Sequence, residues 1–480
     1  FKMPLPTIPS GNVASATAAA YEVDNSCLFD AGSDAYMHKT PSSSGNTGLK
    51  KFTFSTWVKR CGLTTEQTLI RTKDSSNVEC KIGFDASGEL RLYAIGGSAV
   101  LVTSAKYRDP SAWMHVVFAV DTTQGTAANR IKLYVNGTQV TAFGTETYPS
   151  ADADMKMCGD TLHIIGGVWT DDRGGDLDAY LAETVLLDGT AASIGDLGEF
   201  DSDSPTIWKP KDVSGLTFGT NGFYLDYEDS SNLGNDANGG TDLTESGIAA
   251  TDQAVDSPTN NWCVINPLDN EYAEATLTEG NCNTAMSASK YNYITSTFGL
   301  SKGKWYFEAK LTAAGGTAAT VGIAAEPATS TTDYLGGDAA GASILYQTGS
   351  GNKSILHGTE ASYGSTTITT NDILGIYIDL DNNKAYGSVN GTLQSSTGLN
   401  ITAPASTSTG FYFPAFGDYD GSDAYTFAVN FGGCPAFSIS SGNTDDNDYG
   451  NFEYSPNITG DGSAKSFYAI CSKNLGEFGG

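Results

Sequence analysis

Ile131-Lys132-Leu133-Tyr134-Val135-Asn136-Gly137 is the stretch that decides the fold. Ile131, Leu133 and Val135 alternate with Lys132 and Tyr134, the period of a strand. The Asn-Gly step that follows tolerates the positive φ that a two-residue hairpin needs. Upstream, Trp113 to Asp121 reads as another strand, apolar on both faces from Val116 onward. The order strand, Asp, turn, strand, Asn-Gly returns in the second half. There Ile373 to Leu380 carries Asp379, and Asp381-Asn382-Asn383 leads into Ala385 to Val389 and then Asn390-Gly391. The halves share little other sequence. The parallel therefore predicts two sandwiches of one general type and not a tandem repeat.

More strands follow outward from these two hairpins. Phe52, Phe54, Thr56 and Val58 alternate with Thr53, Ser55, Trp57 and Lys59. Leu162 to Val168, Ala179 to Leu187, Lys304 to Ala309 and Thr320 to Ala324 read the same way, and Phe467 to Cys471 reads as a closing strand. Helix signals are nearly absent, with one short helical turn expected over Ala191 to Gly198. The chain has 480 residues, 56 of them Gly, enough for more than one domain built of strands and many turns. Residues 1–20 read as a Pro-, Ser- and Ala-rich arm, and 21–195 as the first sandwich. Residues 196–262 read as an irregular connecting region, packed because it keeps Trp208, Phe218 and Trp262. Residues 263–480 read as the second sandwich with a C-terminal extension.

A net charge of -29 argues against nucleic-acid binding and against anionic membranes, because a polyanion repels such a chain. No apolar run approaches the ~20 residues of a membrane-spanning helix, so membrane insertion is not expected. No signal peptide opens the sequence, and Phe1 predicts a processed or incomplete N-terminus. The eight cysteines form no CxxC and none stands with His at zinc-finger spacing. They are expected to be buried thiols, with Cys61–Cys80 and Cys263–Cys282 as candidate disulfides. The sequons at Asn136 and Asn390 coincide with the hairpins, so turn geometry accounts for them.

The first block resembles the laminin-G-like, concanavalin A-type jelly rolls. Phe52 to Val58, Trp113 to Val117, Ile131 to Gly137 and Gly175 to Asp188 carry the likeness, in that order. The second block resembles a SPRY domain, through Gly303 to Glu308, Val321 to Ala324, Asp372 to Asp379, Val389 to Gly391, Phe413 to Phe416 and Val429 to Gly432. The fold class expected is thus all-β: two concanavalin A-like/jelly-roll antiparallel β-sandwiches joined by an irregular linker. The whole arrangement resembles virion structural proteins of tailed phages of marine bacteria. Ala105 to Trp113, Asp256 to Asn270 and Tyr468 to Leu475 carry that likeness. It implies a virion-surface location as tail fibre, spike or capsid decoration, other virion proteins as partners, and a homo-oligomer, with a trimer favoured. A secreted bacterial adhesin or lectin is the alternative, and a polysaccharide-active enzyme a second one.

Chemistry is weighed on the same residues. A glucanase on this fold needs two carboxylates facing one side of a strand, and no Glu-x-Asp-x-x-Glu is present. No Gly-x-Ser-x-Gly elbow accompanies His38, His115, His163 or His357, which read as strand or surface histidines. The expectation is a non-enzyme that requires no cofactor. Laminin-G-like domains often bind calcium at one rim, which makes Asp171, Asp172, Asp176 and Asp178 a candidate Ca²⁺ site. SPRY domains bind partners through loops at one end. Here those loops present Asp333, Tyr334, Tyr346, Tyr363, Asp418, Tyr419 and Asp420. Exposed tyrosines beside carboxylates could stack on a sugar ring and accept its hydroxyls, so host cell-surface glycan or protein is the expected ligand.

Overall fold

The computed structural model describes residues 21–43, 49–73, 79–94, 98–167, 175–288, 291–314, 318–337, 341–347, 351–419, 424–458 and 465–479. They fall into two units that meet between Asn260 and Asn261. Both units are built from sheets that are antiparallel but for one short parallel pairing in the second.

In the first unit one sheet orders its strands Thr138–Gln139, Ile131–Val135, Met114–Asp121, Lys51–Arg60, Ala179–Asp188, Ser26–Phe29 and Gln253–Ala254. The facing sheet runs Phe143–Glu146, Ser98–Lys106, Glu89–Ala94, Glu79–Phe84, Gln67–Lys73, Leu162–Ile165, Tyr36–Lys39 and Thr244–Ser246. Consecutive hairpins in both sheets are joined to strands distant in sequence, such as Lys51–Arg60 beside Ala179–Asp188, as a jelly roll requires. Phe52, Phe54, Val58, Val116, Phe118 and Val120 from the first sheet pack with Ile70, Ile82, Phe84, Leu90 and Leu92 from the second. The expected hairpin forms as read: Asn136 and Gly137 have φ of 47° and 74°, and Val135 pairs with Thr138.

The second unit repeats the plan. Thr276–Thr278, Asn283–Ala285, Tyr425–Asn430, Lys304–Ala314, Ile373–Asp379, Lys384–Val389 and Thr392–Leu393 make one sheet. Asn292–Thr295, Phe413–Asp418, Ala319–Ala324, Ala342–Tyr346, Lys353–Leu356 and Thr359–Ser362 make the other. Asn390 and Gly391 turn the second hairpin with φ of 47° and 72°. In both units the hairpin Asn also accepts a hydrogen bond on its side chain from the neighbouring strand. His115 N donates to Asn136 Oδ1 at 2.8 Å, and Ile373 N donates to Asn390 Oδ1 at 2.9 Å.

Residues 196–260 are not the connecting region that their composition suggested. They complete the first sandwich. Phe223–Leu225 adds to Ala179–Asp188, Gln253–Ala254 to Ser26–Phe29, and Thr244–Ser246 to Tyr36–Lys39. The segment also covers the outer face of the first sheet, where Val117, Val185 and Leu187 meet Leu197, Val213, Phe218 and Tyr224. That cover explains why the Met114–Asp121 strand is apolar on both faces. Residues 443–458 and 465–471 do the same for the second unit. Phe452, Ile458, Phe467 and Ala469 pack on Tyr306, Tyr377 and Tyr386 of the Lys304–Ala314 sheet. Within that tail Tyr468–Ala469 adds to Lys304–Ala314 as a parallel strand. The tail then closes in Ser472–Phe478, the one α-helix among the described residues, which the sequence did not suggest.

Each cover is fixed by a buried carboxylate. Asp256 is wholly buried. Its Oδ2 lies 2.5 Å from Lys59 Nζ, and Trp113 Nε1 donates to its Oδ1 at 2.8 Å. In the second unit Glu308 is equally buried. It accepts from Glu453 N at 3.0 Å, Tyr454 N at 2.7 Å, Tyr306 Oη at 3.0 Å and Asn430 Nδ2 at 3.2 Å. A buried charge is tolerated only when paired and hydrogen-bonded, so these positions hold the covering segments in one register. Asp256→Ala removes the buried carboxylate that pairs with Lys59 and accepts from Trp113, and is expected to cost roughly 3–5 kcal/mol. Urea unfolding read by tryptophan fluorescence checks this; a loss below about 1 kcal/mol, typical of a surface pair, contradicts it.

Candidate functional site

Three groups of polar side chains have the chemistry to act, and the geometry separates them. The first is Ser55 with His115. Ser55 Oγ lies 2.8 Å from His115 Nε2, the contact a serine nucleophile makes with its base. Trp208 Nε1 reaches His115 Nδ1 at 2.9 Å. Indole nitrogen can only donate, so Nδ1 accepts and the ring proton sits on Nε2. His115 then donates to Ser55 and cannot take its proton. Burial drives the His115 pKa down to about 3, and the ring is stacked on Trp57 with Trp208 nearly parallel beside it. This is a packed clasp, and its arrangement is the reverse of what nucleophile activation needs.

The second is Glu183. A bulge in Ala179–Asp188 sets Glu183 and Thr184 against Thr56 alone, and Glu183 takes a φ of 50°. The bulge turns its carboxyl toward the covering segment. There Tyr224 Oη donates at 2.9 Å and Tyr21 Oη at 3.1 Å. Burial pushes the Glu183 pKa up to about 8; the two tyrosine hydrogen bonds oppose this, and the charges of Asp226 and Glu228 add to it. Both oxygens are occupied within the fold, so Glu183 fastens Tyr21 and Tyr224.

The third group is open to solvent. A cleft of about 160 Å³ in the second unit is lined by Tyr293, Glu326, Thr329, Asp333, Tyr334 and Gly337, among others. Tyr293 comes from the Asn292–Thr295 strand, and the rest come from the loop after Ala319–Ala324. The loop is built to hold Tyr334. A Cβ at Gly337 would come within 2.8 Å of the Tyr334 ring, so only glycine lets the ring lie against the backbone there. Tyr419 meets Tyr334 edge-on, with centroids 4.8 Å apart and planes at 85°. Tyr419 is in turn fixed by its hydroxyl, which donates to Glu360 at 2.6 Å. Exposed Tyr291 extends the cluster by an edge contact with Tyr419. Asp333 is steadied by Thr329, whose N and Oγ1 donate to its Oδ2 at 2.8 and 2.6 Å. Partial burial raises the Asp333 pKa, but the hydrogen bonds from Thr329 and Ser330 outweigh it and hold the carboxyl below its ordinary value. Tyr293 Oη donates to the Glu326 carbonyl at 3.0 Å, and Ser408 Oγ donates to Glu326 Oε2 at 2.9 Å. The result is a small cleft with flat aromatic walls and two fixed acceptors. Its volume is well below the ~300 Å³ of the smallest drug-sized sites, which suits a single ring.

Of the residues predicted to bind, Asp333, Tyr334 and Tyr419 come together here. The others do not. Tyr346 is fully buried and its hydroxyl reaches the Ser388 carbonyl. Tyr363 is buried too, with its hydroxyl accepting from Gly387 N at 3.0 Å. Their rings fill the sandwich, so the exposed stacking role expected for them is corrected. Asp418 is buried at the end of its strand, between Ala319 and Asn292 of the two neighbouring strands. Asp420 lies outside the described residues, as do Asp171 and Asp172 of the candidate calcium loop. Of that loop Asp178 is half-buried; burial and then the nearby Asp30 charge push its pKa up to about 7, against Arg60. Among the described residues no group of three or more His, Cys, Asp and Glu is gathered to hold a metal. Glu326 and Tyr293 went unforeseen, because they reach the cleft from separate elements.

Comparison with known proteins agrees with the two-unit plan. Residues 31–189 match the concanavalin A-like lectin/glucanases superfamily, and residues 304–443 match the SPRY domain. The chain thus carries a laminin-G-like domain followed by a SPRY domain. No curated protein matches the chain. Among solved structures it is similar to a Bacteroides ovatus protein described as a candidate carbohydrate binding protein, at 16% identity and TM-score 0.34, covering 48% of this chain and 60% of that one. The chain therefore spans about three fifths of that protein's length. It is also similar to the PSpry domain of TRIM65, at 13% identity and TM-score 0.28, covering 35% of this chain and 92% of that one. A heptameric pentraxin from Limulus polyphemus follows at 13% identity and TM-score 0.28, covering 37% of this chain and 81% of that one.

The Glu183 clasp has a pH signature. An acid whose pKa rises on folding, here from 4.5 to about 8, holds its proton more tightly when folded. Its contribution is complete below about pH 4.5 and is lost as pH rises through about 8. Glu183→Gln keeps the shape without the titration. Urea midpoints measured from pH 4.5 to 9 should fall less steeply for this variant than for the wild type; parallel curves contradict the assignment.

Proposed function

We propose that this chain is a non-enzymatic binding protein of a virion surface, a tail fibre, spike or capsid decoration, whose SPRY domain takes a sugar ring in the Tyr334 cleft. One observation carries the binding reading: the Tyr334 ring, held in place by contacts with Gly337 and Tyr419, stands beside the fixed acceptors Asp333 and Glu326. A flat aromatic face takes the C–H face of a sugar, and carboxylates accept its hydroxyls. Preorganisation by Gly337 and Thr329 spares the ordering cost that weakens small sites. The concanavalin A-like domain is a lectin-type fold and supports the same class of ligand without fixing it.

The virion location rests on the likeness of Ala105 to Trp113, Asp256 to Asn270 and Tyr468 to Leu475 to phage structural proteins. In that setting the partners are other virion proteins, and the assembly is a homo-oligomer, with a trimer as the first choice. Calcium at Asp171, Asp172, Asp176 and Asp178 belongs to the same proposal as an accessory ion. A bacterial adhesin or lectin would use the same cleft, and imaging of purified particles separates the two by locating the chain.

The cleft is tested on a glycan array with the full chain, with and without Ca²⁺. Tyr334→Ala and Asp333→Asn should each weaken the leading glycan about tenfold or more, the loss of one anchoring contact. Gly337→Ala should weaken it by displacing the ring. Binding that survives all three substitutions removes this cleft from the account.

A further inference from the structure

We propose that Cys282 and Cys434 form a disulfide that closes the SPRY domain into a covalent ring. Their Sγ atoms lie 3.4 Å apart across a sequence separation of 152 residues. The pairing is not the one that sequence spacing suggested for Cys282, which was with Cys263.

The two thiols are brought together by the sheet. Cys282 stands directly before the Asn283–Ala285 strand, which pairs with Tyr425–Asn430 in the register Asn283 to Ala428. Val429 N donates to the Cys282 carbonyl at 2.6 Å. Beyond that strand the chain turns back, and Ala436 N donates to the Val429 carbonyl at 3.2 Å. Cys434 is therefore held over the start of the Asn283–Ala285 strand. Cys282 is fixed from the other side as well, because its N–H donates to the Glu279 carbonyl at 3.0 Å. The loop it closes runs through Glu279, Gly280 and Asn281, all at positive φ. Bond formation needs the sulfurs to close from 3.4 Å to about 2.0 Å, a distance that side-chain rotation covers.

Cys282 is buried, whereas Cys434 is partly exposed and open to a reagent. With a small-molecule disulfide as oxidant, the Cys434 thiolate attacks one sulfur and releases the first thiolate. A mixed disulfide then sits on Cys434. The Cys282 thiolate attacks Cys434 Sγ, the mixed disulfide breaks and the second thiolate leaves. The two cysteines lose two protons and two electrons, and the oxidant becomes two thiols. The ring formed spans most of both sheets, from Asn283–Ala285 to Tyr425–Asn430. It restricts the unfolded chain more than a short loop would, by an amount that grows with the logarithm of loop length.

The full chain is incubated with oxidised or reduced glutathione, unfolded, alkylated and digested for mass spectrometry. Eight alkylated cysteines are expected after reduction and six after oxidation, with the peptides of Cys282 and Cys434 joined. Thermal unfolding of the SPRY domain should move to higher temperature on oxidation and return with dithiothreitol. Cys434→Ser, at a partly exposed position, should fold, keep seven alkylatable thiols under both conditions and lose the redox shift. Eight free thiols after oxidation, a different linked pair, or glutathione left on Cys434 would each overturn the proposal.

Discussion

A charged group withdrawn from water holds each half of this molecule together. Asp256 sits between Lys59 and Trp113 in the first unit, and Glu308 collects two backbone N–H groups and two side chains in the second. In each case the sheet contributes one partner and the segment that follows the sandwich contributes the other. The carboxylate's hydrogen bonds cross from the sheet to the covering segment, so the two are specified together. The covering segments also seal the hairpins, with aromatic rings. Trp208 lies over Gly137 and Tyr454 over Gly391, at distances that leave no room for a Cβ. A second set of clasps, His115 with Trp208 and Glu183 with Tyr224, reinforces the first unit.

Covering one sheet leaves recognition to other surfaces. In the second unit the tail occupies the outer face of the Lys304–Ala314 sheet. The Tyr334 cleft lies against the other sheet, where Tyr293, Ala324, Leu335 and Ala415 form a small apolar patch. The cleft loop is therefore anchored on a strand layer fixed from within by Phe416, Tyr346 and Ile344. A loop on a rigid scaffold is the usual place for binding residues, since its backbone need not order on contact.

The strands were legible because their signals are local. Asn136-Gly137 and Asn390-Gly391 carry their turn type in two residues, and alternation in Phe52 to Lys59 needs no partner to be read. The covering segments were not legible, because Phe223-Tyr224-Leu225 gains its meaning only from pairing with Thr184 to Leu186. The Ser472–Phe478 helix was hidden for a similar reason. It contains Asn474 and Gly476, and its N-cap Cys471 gives no side-chain bond. Contacts such as Asn474 Nδ2 to Asp445 Oδ2 hold it instead. At the site, Asp333, Tyr334 and Tyr419 could be singled out as loop residues. Tyr346 and Tyr363 have similar neighbours in sequence but point into the core, a distinction that only the sandwich supplies.

Amide hydrogen exchange on the full chain tests most directly whether the segments after each sandwich are integral to it. Protection at Ala254 and at Glu453, Tyr454 and Ala469 should match that of the central strands Lys51–Arg60 and Lys304–Ala314, opening only with the sandwich itself. Exchange within seconds at those positions, beside protected central strands, would mean that residues 196–260, 443–458 and 465–471 are tethers laid on finished sandwiches, and the clamping role of Asp256 and Glu308 would fall.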